Sequence, residues 1–286
     1  MRPTKKQPHL RLLTAAVTLA AGSSAQAALI AHYQFDETAG ASAANAVVAT
    51  GHDGAIGAGV TLGVAGVAGT AFTFSGNVAQ ADVVDMANAT GVFNPILASG
   101  QFTLSYWVKS TDTGNRNVAV FMGNSGASND YIDSGVLGNG QFAPAGSTYG
   151  RNRVATNTPA NIGDLGGGAL VNDGAFHHVA FSVDKATSTG TYYVDGVQVQ
   201  TVTSANFANF PTLNNLEVGR LGRSAPTDGL AGTIDDLQIY NHVLSLAEVQ
   251  FLKDNPGVAI PEPGALVLLG AGLGLMSLRR RGMANC

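Results

Sequence analysis

The ten residues QFTLSYWVKS (101–110) alternate with a period of two. Phe102, Leu104, Tyr106 and Val108 fall on one face, and Thr103, Ser105, Trp107 and Lys109 fall on the other. That period belongs to a β-strand with one face in a core. It returns in FHHVAFSVD (176–184), which sets His177, Val179, Phe181 and Val183 against Phe176, His178, Ala180 and Ser182. TYYVDGVQVQ (191–200) reads as a hairpin, because Asp195-Gly196 suits a two-residue type I′ turn. Such a turn pairs Val194 with Val197 and Tyr192 with Val199. LEVGRLG and GTIDDLQIYN supply two more strands. No helical period occurs until Ser245, which forms a capping box with Glu248 for a short helix over Leu246–Leu252, stopped by Asn255-Pro256-Gly257. From Gly123 to Asp173 the chain is rich in Gly, Asn, Ser and Ala and reads as long loops with short strands such as YIDSGVL. The expected fold is all-β: two antiparallel sheets in a sandwich, with one short C-terminal helix.

The two ends stand apart from this pattern. Arg2, Lys5, Lys6 and Arg11 precede an apolar stretch over Leu12–Ala21, and Ala25-Gln26-Ala27 offers a small-x-small cleavage site. That is the layout of a secretory signal peptide over 1–27. At the other end, Gly264–Leu278 is a run of 15 residues, all apolar or Gly except Ser277, followed by Arg279, Arg280 and Arg281. As a helix it reaches only about 22 Å, short of the roughly 30 Å bilayer core. With export begun at the N-terminus, the arginines stay on the cytoplasmic side.

Trimming both ends changes the charge. Seven of the 15 basic residues lie in the terminal segments, but only Glu262 of the 19 acids does, leaving 8 basic against 18 acidic residues and a net charge of −10. That balance excludes nucleic acid as a partner, since no basic patch is left to displace phosphate counterions. The only cysteine, Cys286, is the last residue, so the body between 28 and 258 relies on its own core or a bound ion for stability.

Pro261-Glu262-Pro263, a short apolar helix and a terminal arginine cluster resemble the PEP-CTERM sorting tail of Gram-negative bacteria. The resemblance covers 259–286. It implies recognition by an exosortase-type sorting protease, a temporary hold in the membrane through the C-terminal helix, and delivery to the cell envelope or extracellular matrix.

The body carries a second resemblance. YQFDETAG, FTLSYWVKS, DGAFHHVAFSVD, TYYVDGVQV and GTIDDLQIYNHVLSLAEV stand in the order seen in laminin G-like, concanavalin A-like jelly-roll domains. The resemblance implies two curved sheets packed face to face over 28–258. Phe176 departs from it, standing where the family commonly has tryptophan. It also implies calcium, held between the IDD strand and an early loop, here ANAVVATGHDG. Period-two counting puts Asp235 on the same face as Leu237 and Ile239, and a carboxylate facing a core needs hydrogen bonds, a cation or a metal. Asn45, where the family commonly has Asp, and the nearby Asp53 complete the candidate set. The alternative places Asp235 at the sheet rim, accepting backbone N–H bonds.

Three other side chains are candidate ligand contacts. Trp107, the only tryptophan, is either a platform for a sugar ring or a framework residue covered on both faces. Arg220 and Arg223, in GRLGRSAPTDG, sit at a loop mouth as contacts for an acidic glycan or as solvated charges. His177 and His178 point to opposite faces and do not share a metal. For catalysis, a glycosidase needs two carboxylates flanking the bond. The body has only Glu37, Glu217 and Glu248, none in the E-x-D-x-E type of arrangement of sandwich glucanases, and it lacks G-x-S-x-G, H-E-x-x-H and P-loop patterns. The reading is an exported, non-catalytic domain that binds carbohydrate such as exopolysaccharide, or a matrix partner. Its alternatives are a structural matrix or coat protein without sugar specificity, and a polysaccharide hydrolase or lyase.

Overall fold

A computed structural model describes residues 28–49, 51–154 and 162–261. Two eight-stranded antiparallel sheets face each other. In the first, the order is β14 (Val197–Thr203), β13 (Thr189–Val194), β12 (His177–Asp184), β7 (Gln101–Ser110), β16 (Ala231–Tyr240), β5 (Thr70–Ser75) and β4 (Thr61–Ala65), with β1 (Leu29–Tyr33) beside the second half of β16. In the second, the order is β11 (Ile162–Gly167), β10 (Ser147–Arg153), β9 (Tyr131–Leu137), β8 (Arg116–Gly123), β15 (Asn215–Val218), β6 (Val84–Asp85), β3 (Gly54–Ile56) and β2 (Ser42–Ala43). This is the two-sheet sandwich expected from the alternation, in the jelly-roll form that the resemblance implies.

β7 is the spine of the first sheet. Its apolar face, Phe102 to Val108, is fully buried, and β12 pairs with it so that Val179 lies beside Tyr106 and Phe181 beside Leu104. Hydroxyls tie the sheets together across the core. Tyr106 shares a 2.7 Å bond with Ser134 on β9, and Tyr192 on β13 donates to the Tyr149 carbonyl on β10 at 3.0 Å. The hairpin turn is as expected, with positive φ at both Asp195 (50°) and Gly196 (75°). Helix α2 (Leu246–Asp254) forms with its capping box complete and packs Val249 and Leu252 against the outer side of the first sheet. Gly257 donates to Asp236 at 2.7 Å, and Ile260 packs beside the same cluster.

Between Gly123 and Asp173 the short strands expected among long loops are β9, β10 and β11, and they build one side of the second sheet. Three expectations are corrected. A second helix, α1 (Thr90–Ser99), buries Val92, Phe93 and Ile96 and ends at left-handed Gly100. Its N-cap, Ala89, makes no side-chain cap, and Pro95 interrupts its interior, so both usual sequence signals are missing. A bulge at Tyr192/Tyr193 shifts the hairpin, so Tyr192 pairs with Gln200 and not with Val199. A second bulge, between Asp235 and Gln238, inverts the period-two count in β16. Ile234 joins Leu237 and Ile239 in the core, while Asp235 lies opposite Trp107 on the outer face.

The signal peptide with Ala25 and Ala27, and the sorting tail from Glu262 through Pro263 to Arg279, Arg280 and Arg281, lie outside the described residues. Pro261 is described and exposed. No helix among the described residues is long and apolar enough to cross a membrane.

Candidate functional site

At one end of the sandwich β7 stops, β16 begins and β5 ends. Ser110 Oγ fixes this junction by donating to the Ala231 carbonyl at 2.8 Å and accepting from the Asp112 N–H at 3.1 Å. Two depressions open there, of about 370 and 320 Å³, and Ala231 lines both. They form a groove across the strand ends.

The larger depression carries Lys109, Thr111 and Thr233. Lys109 pairs with Thr233 across the sheet, and Thr233 shares a 2.8 Å hydroxyl bond with Thr73. The Lys109 ammonium sits 4.7 Å from the centre of the Phe176 ring. Gly174, on the far wall, belongs to a loop tied down through His177. That imidazole bonds Asp195 at 2.8 Å and Asp173 at 3.2 Å. Burial pulls the His177 pKa down, but the two carboxylates outweigh it and raise it.

The smaller depression is acidic and polar, with Asp112, Asn115 and Asp228 on its walls. Burial pushes Asp112 up, but the Gly114 N–H and the amides of Asn117 and Asn115 overcome this, so its pKa falls. Its oxygens are thus fixed as an ionised acceptor. The backbones of Gly76 and Gly229 cross in close contact here. A Cβ on Gly229 would lie 2.4 Å from the Gly76 carbonyl oxygen, so only glycine fits. Carboxylate and amide acceptors beside hydroxyls are groups that bind sugar hydroxyls.

The residues singled out from sequence sit elsewhere. Trp107 lies two positions from Lys109 on the same strand face but is only 9 % exposed, covered and tilted against His178 at 5.3 Å. It offers no open platform. Burial drives His178 down to about 4, and its Nε2 bonds Ser105 at 2.9 Å. Arg220 is neither solvated nor at an open mouth. It is buried, bonded to Glu217 by two nitrogens and to the Val78 carbonyl at 2.7 Å. Arg223 staples its own loop to Ala225, Ser128 and Thr227.

The calcium set is likewise dispersed among backbone donors. Asp235 Oδ2 accepts from Val67 at 2.7 Å and Ala68 at 3.2 Å, and burial pushes its carboxyl up to about 6. Asn45 Oδ1 accepts from His32 and Val47 at 3.0 Å, and Asp53 accepts from the Asn45 N–H at 2.9 Å. Asp235 Oδ1, buried and without a hydrogen bond, asks for a further donor. No three His, Cys, Asp or Glu side chains among the described residues stand together to hold an ion. As arranged, these residues do not form a calcium shell.

Sequence reasoning missed Lys109, Asp112, Asn115 and Asp228 as a group. They come from the end of β7 and from two loops more than a hundred residues apart, which meet only in the fold. The signal available was local: a strand ending in K-S-T-D-T-G-N, a polar turn directly after a core strand.

A laminin G family model, described as the concanavalin A-like lectin/glucanases superfamily, matches residues 81–250. Many solved structures share the fold, among them the following three. The CBM40 of Ruminococcus gnavus IT-sialidase is 19% identical with a TM-score of 0.53, covering 64% of this chain and 96% of that one. Domain 4 of AbnA, a GH43 extracellular arabinanase from Geobacillus stearothermophilus, solved with arabinotriose, is 22% identical with a TM-score of 0.56, covering 80% and 99%. The binding domain of botulinum neurotoxin DC, in complex with rat synaptotagmin II, is 12% identical with a TM-score of 0.55, covering 79% and 51%. No curated protein sequence matches the chain.

Proposed function

The chain belongs to the concanavalin A-like lectin/glucanases superfamily, and from that premise we propose that it is an exported, non-catalytic surface or matrix protein that binds glycan in the strand-end groove. The observation carrying this reading is the groove itself. Two adjoining depressions combine a fixed carboxylate, an amide and hydroxyls on rigid strand ends. The sugars named with its structural neighbours, sialyllactose with the CBM40 and arabinotriose with AbnA domain 4, support the same class of ligand. Fold alone does not assign a ligand, so the site carries the argument.

The leader over 1–27 and the tail over 259–286 support export, with an exosortase-type protease acting on the tail and the envelope or matrix as destination. Intact mass of the protein recovered from the cell surface tests this: a chain lacking both ends is expected, and an uncut chain contradicts it.

A hydrolase reading has one specific observation in its favour. Asp85 and Glu217 face each other across β6 and β15, and Asp85 is raised by burial and by Glu217. However, Glu217 is only 3 % exposed, and both its oxygens are held, by Arg220 and Asn215. It has no free oxygen to offer a substrate. A glycan array and the native exopolysaccharide decide between these readings. Binding abolished in Asp112→Ala and Asn115→Ala is expected. No saccharide retained, with self-assembly instead, favours a structural coat protein. New reducing ends that disappear in Asp85→Asn favour the hydrolase.

A further inference from the structure

Four basic side chains of the body pair with carboxylates, whereas Lys109 over Phe176 and Lys185 over Phe210 lie against aromatic rings, and Lys109 is the one of these two that lines the groove. Arg116 pairs with Asp133, Arg151 with Asp164, Arg220 with Glu217 and Lys253 with Asp254. Lys109 faces the Phe176 ring and pairs with no carboxylate among the described residues. It is half-buried and lines the larger depression. In a body of net charge −10, carboxylates are the abundant partner, yet the folded chain leaves this ammonium without one. The aromatic ring holds the cation in place and accepts none of its three N–H donors as an oxygen would.

We propose that the bound glycan carries a carboxylate, that of a uronic acid residue, and that Lys109 is its counter-ion. This rests on the glycan-binding reading and narrows it. Thr111 and Thr233 line the same depression, and their hydroxyls suit the ring hydroxyls of the same residue. The adjoining depression has the opposite character, because Asp112 repels a second carboxylate and accepts hydroxyl donors. The groove therefore fits a uronate linked to a neutral sugar better than an unbroken run of uronates. A charge-assisted bond at a partly desolvated site carries specificity that neutral hydroxyl contacts do not.

The test is an array in which each uronate-containing oligosaccharide stands beside its carboxyl-reduced counterpart, read with the wild type, Lys109→Met and Lys109→Arg. The expected result is binding at least about tenfold tighter to the acidic member. Lys109→Met should lose that preference, Lys109→Arg should keep most of it, and all three should melt alike. Wild-type binding to the acidic member should also weaken with added salt, more steeply than that of Lys109→Met. Equal binding to both members, or an undiminished preference in Lys109→Met, overturns the uronate assignment and leaves glycan binding standing. No binding to either member by any of the three proteins overturns the glycan reading and this inference with it.

Discussion

The outer face of the second sheet and the strand-end groove treat charge in opposite ways. On the sheet face, Arg116 and Arg151 are almost fully buried, bonded to Asp133 and Asp164 and capped by the rings of Tyr149 and Phe142. Tyr149 completes the set by donating to Asp133 at 2.7 Å. In the groove, Lys109 has a ring and no counter-ion, and Asp112 and Asn115 line an open depression. Charges that the chain has matched serve its architecture, while charges left open to the groove are available to a ligand.

Four experiments break or sharpen this contrast. Asp133→Ala has the largest expected effect, because it strands the Arg116 guanidinium in a buried site. A loss of about 3–5 kcal/mol is expected in urea unfolding, with glycan binding retained by the fraction still folded. Loss of binding without loss of stability would move the site to this face.

Asp235→Asn comes next. Burial raises Asp235 to about 6, so the folded protein holds that proton more tightly than the unfolded chain does. Its contribution to stability is full below about pH 4 and is lost as pH rises through 6. The variant should therefore be the more stable protein at pH 7, on the order of 3 kcal/mol, with the gap closing by pH 4. His178, held neutral down to about 4, acts in the opposite direction but is common to both proteins and cancels in the difference. A wild type that gains on the variant as pH rises would mean that a cation stabilises the ionised carboxylate.

Lys109→Met is the counterpart in the groove. Its stability should change by less than about 0.5 kcal/mol, in contrast to Asp133→Ala. A large destabilisation would make Lys109 another structural charge. The smallest expected effect concerns calcium: because Asp235, Asn45 and Asp53 are engaged separately by backbone donors, a chelator should leave the melting temperature unchanged. A clear drop, restored by calcium, would mean that these residues rearrange around the ion.

The two sheets also differ in how far the sequence reveals them. β7, β12 and β16 of the first sheet have one core face and one polar face, so alternation marks them, and Ser245 with Glu248 marks α2. β8 shows no alternation because all eight of its residues are buried. Loop residues Phe142 and Ala143 and Leu221 cover its outer face in a second apolar cluster with Val118 and Phe121. A strand covered on both sides by a later loop loses the periodicity that identifies it. The bulge after Asp235 is equally silent, since one extra residue in β16 reverses the facing of everything beyond it. The groove was hidden for a different reason. Its polar groups are ordinary turn residues until β7, β5 and β16 bring their loops together.

The central claim, that glycan binds across the strand ends, is tested most directly by a crystal structure of the protein with an oligosaccharide it retains. The account predicts a sugar ring in the larger depression with its carboxylate on Lys109, and a neighbouring residue bonded to Asp112 and Asn115. Sugar bound instead to the outer face of the second sheet, with Phe142 displaced from Tyr149 and the groove empty, would contradict it.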